Sequence, residues 1–334
     1  MPEGRLPSIA VLATGGTIAG KQIGESSHAY CAASFGVKEL LAAVPSLSAL
    51  AVITAEQIAN VGSQNMSHDI WLLLMQRVEA LGKDSSIDGI VITHGTDTLE
   101  ETAYFLSLVI QHQKPIVLVG AMRPATAPGA DGPANLRFAV ALAGSCDARG
   151  KGPLVVMNED IHYAREVQKI SSTGINAFAS PNRGKAGIMK GDKPCFFSSH
   201  DLNYGDFVAL QETIASEACF PRVDVVYAGV ESSADVIDYL VPKVQGLVLA
   251  GVGDGNANDV VLAALQRAVR AGVAVVRSSR ATHGTTMRNV EINDDAMGFI
   301  AAGDLSPAKA RILLSLSLIQ TTEIERLQDI FDRC

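Results

Sequence analysis

Twice in this chain a short apolar run breaks off into a turn built from glycine and threonine. Ile9-Ala10-Val11-Leu12-Ala13 leads into Thr14-Gly15-Gly16-Thr17-Ile18-Ala19-Gly20. Gly89-Ile90-Val91-Ile92-Thr93 leads into His94-Gly95-Thr96-Asp97-Thr98-Leu99-Glu100-Glu101-Thr102. Such runs, rich in Val, Ile, Leu and Ala and ended by a glycine turn, read as buried strands. Each string therefore sets a threonine just past the carboxyl end of a strand. In open α/β sheets that rim binds ligands, at a switch in strand order. Two hydroxyls there, one followed directly by an aspartate, point to a nucleophile with a carboxylate beside it. The chemistry expected of such a site is hydrolytic.

The rest of the chain repeats the pattern. Strand-like and helix-like runs alternate, which predicts βαβ units and a mainly parallel sheet. The spacing predicts a helix from Ser67 to Leu81 with Ile70, Leu74, Val78 and Leu81 on one face and Ser67 as N-cap. Thr98 and Glu101 match the S/T-x-x-E capping box, opening a helix through about Val109. Thr96 and Asp97 then lie beside a helix N-terminus, where backbone N–H groups favour negative charge. Further strands are expected at Pro115–Val119 and Leu154–Met157. From about Gly191 to Arg222, through Lys193-Pro194, Ser198-Ser199 and Phe220-Pro221, periodicity fades and the segment reads as a linker or crossing segment. Alternation then resumes, with strands at Val223–Tyr227, Gly246–Ala250 and Val273–Arg277 and helices at Ser233–Val241, at Asp259–Ala271 and from Ser306-Pro307.

At 334 residues the chain is long enough for two cores. The expected fold is α/β: a larger N-terminal doubly wound, mainly parallel sheet domain over residues 1–198, a linker at 199–221, and a smaller C-terminal α/β domain at 222–334. Aromatics are only 5% and glycines number 30, which suits Val/Ile/Leu/Ala strands joined by tight turns. A formal charge of -8, with no basic cluster, argues against nucleic acid or an anionic membrane as partner. Cys31, Cys146, Cys195, Cys219 and Cys334 are scattered and form no C-x-x-C, so neither a zinc site nor a disulfide framework is indicated. The opening Met-Pro-Glu-Gly-Arg-Leu-Pro-Ser lacks the apolar core of a secretory signal, and as written the chain is expected to be cytoplasmic.

Both glycine–threonine strings, in order and well separated, resemble the two signature segments of the bacterial-type L-asparaginase and glutaminase-asparaginase family. The similarity continues through Gly62-Ser63-Gln64, Gly120-Ala121-Met122-Arg123-Pro124, Ala130-Asp131-Gly132-Pro133 and Val275-Val276-Arg277-Ser278-Ser279-Arg280, and so spans nearly the whole chain. It runs closest to the type II branch, usually exported, which implies a periplasmic location wherever a signal precedes the sequence as given. The resemblance implies hydrolysis of L-asparagine to L-aspartate and ammonia without a cofactor. It also implies a homotetramer of two close dimers with shared active sites.

Residue by residue, Thr17 is the expected nucleophile. Its glycines let backbone approach a small ligand closely, and its hydroxyl needs a base to take the proton. Tyr30 lies on a polar, small-residue stretch from Gly20 to Gly36 that reads as a lid, and the resemblance places a catalytic tyrosine there. Around it the wording Ser27-His28-Ala29-Tyr30-Cys31-Ala32 departs from the commoner one. Thr96, Asp97 and Lys169 resemble the family's second triad, in which a lysine beside a threonine acts as base or polarises it while the aspartate balances its charge. Asp97 also suits the substrate α-ammonium. Ser63 and Gln64 match the clamp for the α-carboxylate and α-amino group, and Gly95 and Ala121 are expected to offer backbone N–H groups. Asn256 and Glu291 match residues that the family takes from a neighbouring subunit. The resemblance assigns His94 no proton transfer, and a structural role is expected for it.

Alternatives stay open at this point. One is a glutaminase-asparaginase of the same chemistry. Another is the asparaginase-like amidase subunit of tRNA-dependent amidation, which calls for a basic face that this chain lacks. A third is a non-catalytic amino-acid sensor, which should lose the Thr-Lys-Asp set. Gly251-Val252-Gly253-Asp254-Gly255-Asn256 imitates a dinucleotide fingerprint, with Asn in place of its last small residue and with Arg277 as a candidate for a 2′-phosphate.

Overall fold

Both apolar runs are strands, and they are neighbours. The computed structural model describes residues 5–22, 30–197, 207–217 and 220–334 and divides into two units, residues 1–211 and 212–334. The first unit opens with β1 (Ser8–Gly15), β2 (Lys21–Gln22), β3 (Tyr30–Cys31), α1 (Val37–Ala42), β4 (Val52–Val61), α2 (His68–Lys83), β5 (Gly89–Thr93) and α3 (Leu99–Val109). It continues with β6 (Ile116–Val119), α4 (Gly132–Ala143), β7 (Pro153–Met157), β8 (Asp160–Tyr163), β9 (Gln168–Lys169), β10 (Phe178–Ala179), β11 (Gly187–Lys190) and β12 (Lys193–Phe196). Helix α5 (Gln211–Glu217) begins at the division.

Eight strands form one sheet in the order β12-β11-β8-β7-β6-β5-β1-β4. The pairings β4/β1, β1/β5, β5/β6 and β6/β7 are parallel, and β8, β11 and β12 add an antiparallel edge. The chain leaves β1 for β4 on one side, then crosses to β5 on the other. The strand order therefore switches between β1 and β5, where a doubly wound sheet opens a crevice at its carboxyl edge. Alternate residues serve opposite faces of each strand. Ile9, Val11, Val91 and Val117 pack with Val37 and Leu40 of α1 and with Leu136 and Val140 of α4. Helices α2 and α3 pack on strands of the same sheet and bury Leu74, Val78, Phe105 and Leu108. With both faces covered, β5, β6 and β7 are buried at every residue, so they read as continuous apolar runs.

The second unit holds β13 (Val223–Tyr227), α6 (Asp235–Leu240), β14 (Gly246–Gly251), α7 (Asp259–Arg270), β15 (Ala274–Ser279), α8 (Asp294–Met297), β16 (Phe299–Ala301), α9 (Pro307–Gln320) and α10 (Ile324–Arg333). Its four strands are parallel and lie in sequence order. Ile237 of α6 and Val261, Ala264 and Leu265 of α7 pack with Leu247, Leu249 and Val275 of the sheet, while α9 packs on β13, β14 and β15. No helix among the described residues is long and apolar enough to cross a membrane.

Several local expectations are met by the atoms that motivated them. The Ser67 side chain accepts from the Ile70 amide at the start of α2, and the Ser306 side chain accepts from the Lys309 amide at the start of α9. Two need correction. The Thr98 hydroxyl caps nothing: it donates to the Ser63 carbonyl at 2.8 Å, so the expected capping box does not form. The fading stretch from Gly191 is not all linker. Gly191, at φ 61°, turns a hairpin that pairs β11 with β12, and α5 follows further on. Residues 198–206 and 218–219, with Ser198, Ser199 and Cys219, lie outside the described residues.

Candidate active site

The site begins where two glycines touch. Thr14 Oγ1 donates to the Thr93 carbonyl at 3.0 Å, tying the ends of β1 and β5. The chain then turns through Gly15 at φ 105° and Gly16 at φ 82°, ψ −171°. That last conformation is essentially restricted to glycine. A Cβ on Gly16 would lie 2.3 Å from both the Cα and the amide nitrogen of Gly95. A Cβ on Gly95 would in turn lie 2.7 Å from Ser63 Oγ. The expected ligand loops therefore meet backbone on backbone, and Thr17 follows directly, buried at the head of a short 3-10 turn.

Ser63 joins this contact from a third direction, after β4. It is buried, its Oγ accepts from the Asp97 amide at 3.1 Å, and its carbonyl accepts from Thr98. Gln64 is exposed and folds back over Gly62. On the β6 side, Gly120 has room for no side chain, because a Cβ there would meet the His94 carbonyl at 2.9 Å and Thr96 Cγ2 at 3.0 Å. Ala121 beside it is buried. Two residues not assigned a site role from sequence hold this loop. Asp131 accepts from the amides of Met122 and Arg123, both at 2.9 Å, and Asn135 Nδ2 donates to the Gly120 carbonyl at 3.2 Å. Their signals in the sequence are the Ala130-Asp131-Gly132-Pro133 match to the family and a polar pair one helical turn apart at the start of α4.

Lys169 reaches the site from β9. Its Nζ donates to Thr96 Oγ1 at 2.9 Å and to Asp97 Oδ1 at 2.6 Å, and its backbone amide donates to the Glu100 carboxylate. The lysine side chain is 16% exposed and the aspartate's 58%, so water weakens the ion pair and it fixes position more than it stabilises the fold. Chemically, an ammonium donating to a hydroxyl oxygen draws electron density from it and leaves the hydroxyl proton free to be passed on. The Tyr30 side chain and residues 23–29, most of the expected lid, lie outside the described residues.

Asn256 and Glu291 belong to the second unit and meet each other there. Asn256 Nδ2 donates to Glu291 Oε2 at 3.0 Å, and Glu291 is exposed. The fingerprint-like segment is a closed loop instead of a phosphate cradle. Val252 and Asn256 pair across it, and a Cβ on Gly251 would lie 2.4 Å from the Gly255 carbonyl carbon. Arg277 offers nothing to a 2′-phosphate, since it is fully buried in a bidentate pair with Asp294.

His94 is fully buried and held at both ring nitrogens. Nδ1 lies 2.7 Å from the Gly95 carbonyl and Nε2 lies 2.9 Å from Thr102 Oγ1, which accepts from Trp71 Nε1 at 2.9 Å. A carbonyl only accepts, so Nδ1 carries the proton and Nε2 accepts from the threonine. Burial pushes the ring pKa down to about 4, against the smaller opposing effect of the Gly95 bond.

A doubly wound α/β unit with two threonines, an aspartate and a lysine gathered at its switch point has the make-up of a hydrolytic enzyme. Family models agree with that class. The N-terminal asparaginase domain model matches residues 8–202, and the glutaminase/asparaginase C-terminal domain model matches residues 222–331. A probable periplasmic L-asparaginase of Haemophilus influenzae is 43% identical over 98% of this chain and 93% of its own. L-asparaginase 2 of Escherichia coli is 40% identical over the same shares. A glutaminase-asparaginase of Pseudomonas fluorescens is 41% identical over 98% of this chain and 90% of its own. The crystal structure of a probable cytoplasmic L-asparaginase from Campylobacter jejuni superposes with a TM-score of 0.93 at 40% identity, over 98% of this chain and all of that one. The chain belongs to the asparaginase family.

The buried imidazole makes stability depend on pH. The fold binds His94 neutral, while the unfolded chain takes up a proton below about 6.5. The stabilisation is therefore complete above that pH and is lost as pH falls towards 4, by roughly 3 kcal/mol in total at about 1.36 kcal/mol per pKa unit. Denaturant unfolding at pH 7 and pH 4 should show the wild type losing more than His94→Gln by about that amount. Equal losses would mean that the ring is protonated in the fold.

Proposed function

We infer that this chain hydrolyses the side-chain amide of L-asparagine, giving L-aspartate and ammonia. The observation that carries the reading is Lys169 Nζ, bonded at once to Thr96 Oγ1 and Asp97 Oδ1, next to the glycine contact that delivers Thr17. Family membership supports the same reaction. The Thr17 hydroxyl attacks the amide carbon, its proton passing to Tyr30 assisted by Glu291 of a neighbouring subunit. The tetrahedral adduct collapses with loss of ammonia, whose nitrogen gains the proton that Tyr30 took from Thr17, relayed through the Thr96–Lys169 pair. Water then cleaves the β-aspartyl ester and returns the proton to Thr17. Ser63, Gln64 and Asp97 hold the α-carboxylate and α-ammonium, and backbone N–H groups of Gly95 and Ala121 meet developing negative charge. Asn256 lies by the same wall as Glu291.

The quaternary reading is a homotetramer of two close dimers that share sites. The chain is read as cytoplasmic: Cys31, Cys146 and Cys195 carry free thiols, which suits a reducing compartment.

Thr17→Ala should lower kcat by at least the roughly 10²–10⁴-fold expected of a lost catalytic group, with the folded state intact by circular dichroism. Thr96→Val, which keeps the shape and deletes the hydroxyl, should be comparably damaging. A Thr17→Ala enzyme with most of its rate would send the search for the nucleophile elsewhere.

Ammonia release should favour asparagine over glutamine. The basis is Gly120-Ala121-Met122 and Asn256, whose wording is similar to the asparagine-preferring branch. One added methylene carries the amide carbon away from a fixed hydroxyl, a difference of about 1–3 kcal/mol. Equal kcat/KM for both amides would assign the chain to the glutaminase-asparaginase class.

Site sharing is tested by mixing inactive Thr17→Ala and Glu291→Ala enzymes after reversible dissociation. In a mixed dimer one site carries both lesions and the other neither, so random pairing should restore about a quarter of all sites. Proven exchange with no recovered activity would show each site to be built within one chain.

A further inference from the structure

Arg277 has no place in the reaction, yet it is among the most heavily bonded side chains in the second unit. It stands on β15, and neither its side chain nor that of Asp294 has exposed surface. Nε donates to Asp294 Oδ1 at 2.5 Å and Nη2 to Oδ2 at 2.7 Å. The remaining N–H groups go to backbone carbonyls: Nη1 to Asp254 at 2.8 Å and Gly255 at 3.3 Å, and Nη2 to Met287 at 3.2 Å. The five N–H groups of the fork thus have five acceptors, spread over two loops and the head of α8. Residues 251–256 form one loop and carry Asn256; residues 286–293 form the other and carry Glu291.

Other bonds converge on the same pair of loops. The Met287 amide donates to Asp254 Oδ1 at 2.8 Å, and the Asn289 amide donates to Asp294 Oδ2 at 2.8 Å. The turn residues Gly253, Gly255 and Asn289 sit at φ 53°, 71° and 59°, so neither loop is an ordinary extended or helical segment. A buried ion pair is weak evidence of stabilisation, because desolvation offsets the attraction and apolar replacements often serve as well. What an apolar pair cannot supply is a rigid planar fork addressing three chain segments at once.

We propose that the Arg277–Asp294 pair is a positioning device. It holds the 251–256 and 286–293 loops in one register so that Asn256 and Glu291 are presented together to substrate. This rests on the assignment of Asn256 and Glu291 to the site. Arg277 acts only through them and touches no reacting atom.

The test uses the assembled enzyme. Arg277→Lys keeps the charge on Asp294 and loses the fork. It is compared with Leu265→Ala, a core truncation on α7 of the same unit, outside both loops and their hydrogen bonds, that lowers the melting temperature. The expected kcat loss for Arg277→Lys is about tenfold to a hundredfold, while Leu265→Ala keeps wild-type kcat. In an Asn256→Ala/Glu291→Ala background the same Arg277→Lys change should cost nothing further. Hydrogen exchange at the Met287 and Asn289 amides should quicken in Arg277→Lys and not in Leu265→Ala. Should Arg277→Lys fail to fold, Asp294→Asn reads the same quantities.

Wild-type kcat in Arg277→Lys, or an undiminished loss in the double-variant background, overturns the proposal. If Asn256→Ala/Glu291→Ala itself keeps full activity, it is the site assignment that falls. The clamp is then judged on exchange alone: quickened exchange supports it and unchanged exchange overturns it.

Discussion

The contact between Gly16 and Gly95 is the constraint on which the rest of the first unit's site depends. Two parallel strands at a switch point diverge after their carboxyl ends, and side chains would normally fill the gap. Here backbone fills it, with no space for a Cβ on Gly16. Thr17 and Thr96 therefore leave the sheet from loops in direct contact, and neither depends on a long flexible side chain to bring it to the other. The conformation of Gly16 is costly for any residue but glycine, about 1–3 kcal/mol before steric overlap is counted. Strain of that size persists only where the surroundings over-determine it, and here Gly16 N also donates to the Val61 carbonyl of β4.

Behind that contact runs a hydrogen-bond chain with a fixed direction. Trp71 Nε1 donates to Thr102, Thr102 to His94, and His94 Nδ1 to the Gly95 carbonyl. In a trans peptide the carbonyl and the following N–H point in opposite directions. Holding the Gly95 carbonyl against His94 thus also sets the direction of the Thr96 N–H. A charged imidazole would lose its acceptor nitrogen and break the chain at Thr102. The neutral ring is part of the loop's geometry: with Nδ1 donating to Gly95 and Nε2 accepting from Thr102, both its nitrogens are already engaged.

How much of this was legible in the sequence follows from how local each cause is. The strand ends, glycine turns and threonines are encoded within a few consecutive residues, and they were readable. Lys169 is not, because its place beside Thr96 depends on β9 folding back from beyond β8; only the family resemblance supplied it. The capping box at Thr98 failed for a related reason: its hydroxyl had a competing acceptor, the Ser63 carbonyl, which nearby sequence does not reveal. The same blindness produced the false fingerprint. Glycines after a strand satisfy the pattern whether they cradle a phosphate or close a loop on itself, and the fully buried Arg277 decides for the loop. Strand β4 went unread because its central residues alternate only weakly between apolar and polar.

The two units solve the same problem with opposite chemistry. In the first, the loops leave adjacent strands of a sheet covered on both faces, so close backbone approach between glycines sets them together and side-chain bonds at Thr14 and Ser63 add to it. In the second, the loops after β14 and β15 are long, and Gly255 of one is packed against the Thr286 side chain of the other. Polar contacts between them gather on Arg277, whose fork reaches several carbonyls from one rigid plane. Burying that charge requires a carboxylate of matching geometry, which Asp294 provides at the head of α8. A glycine contact tolerates no added atom, and a buried fork tolerates no lost acceptor. Each unit thus leaves the loops at its strand ends few alternative arrangements.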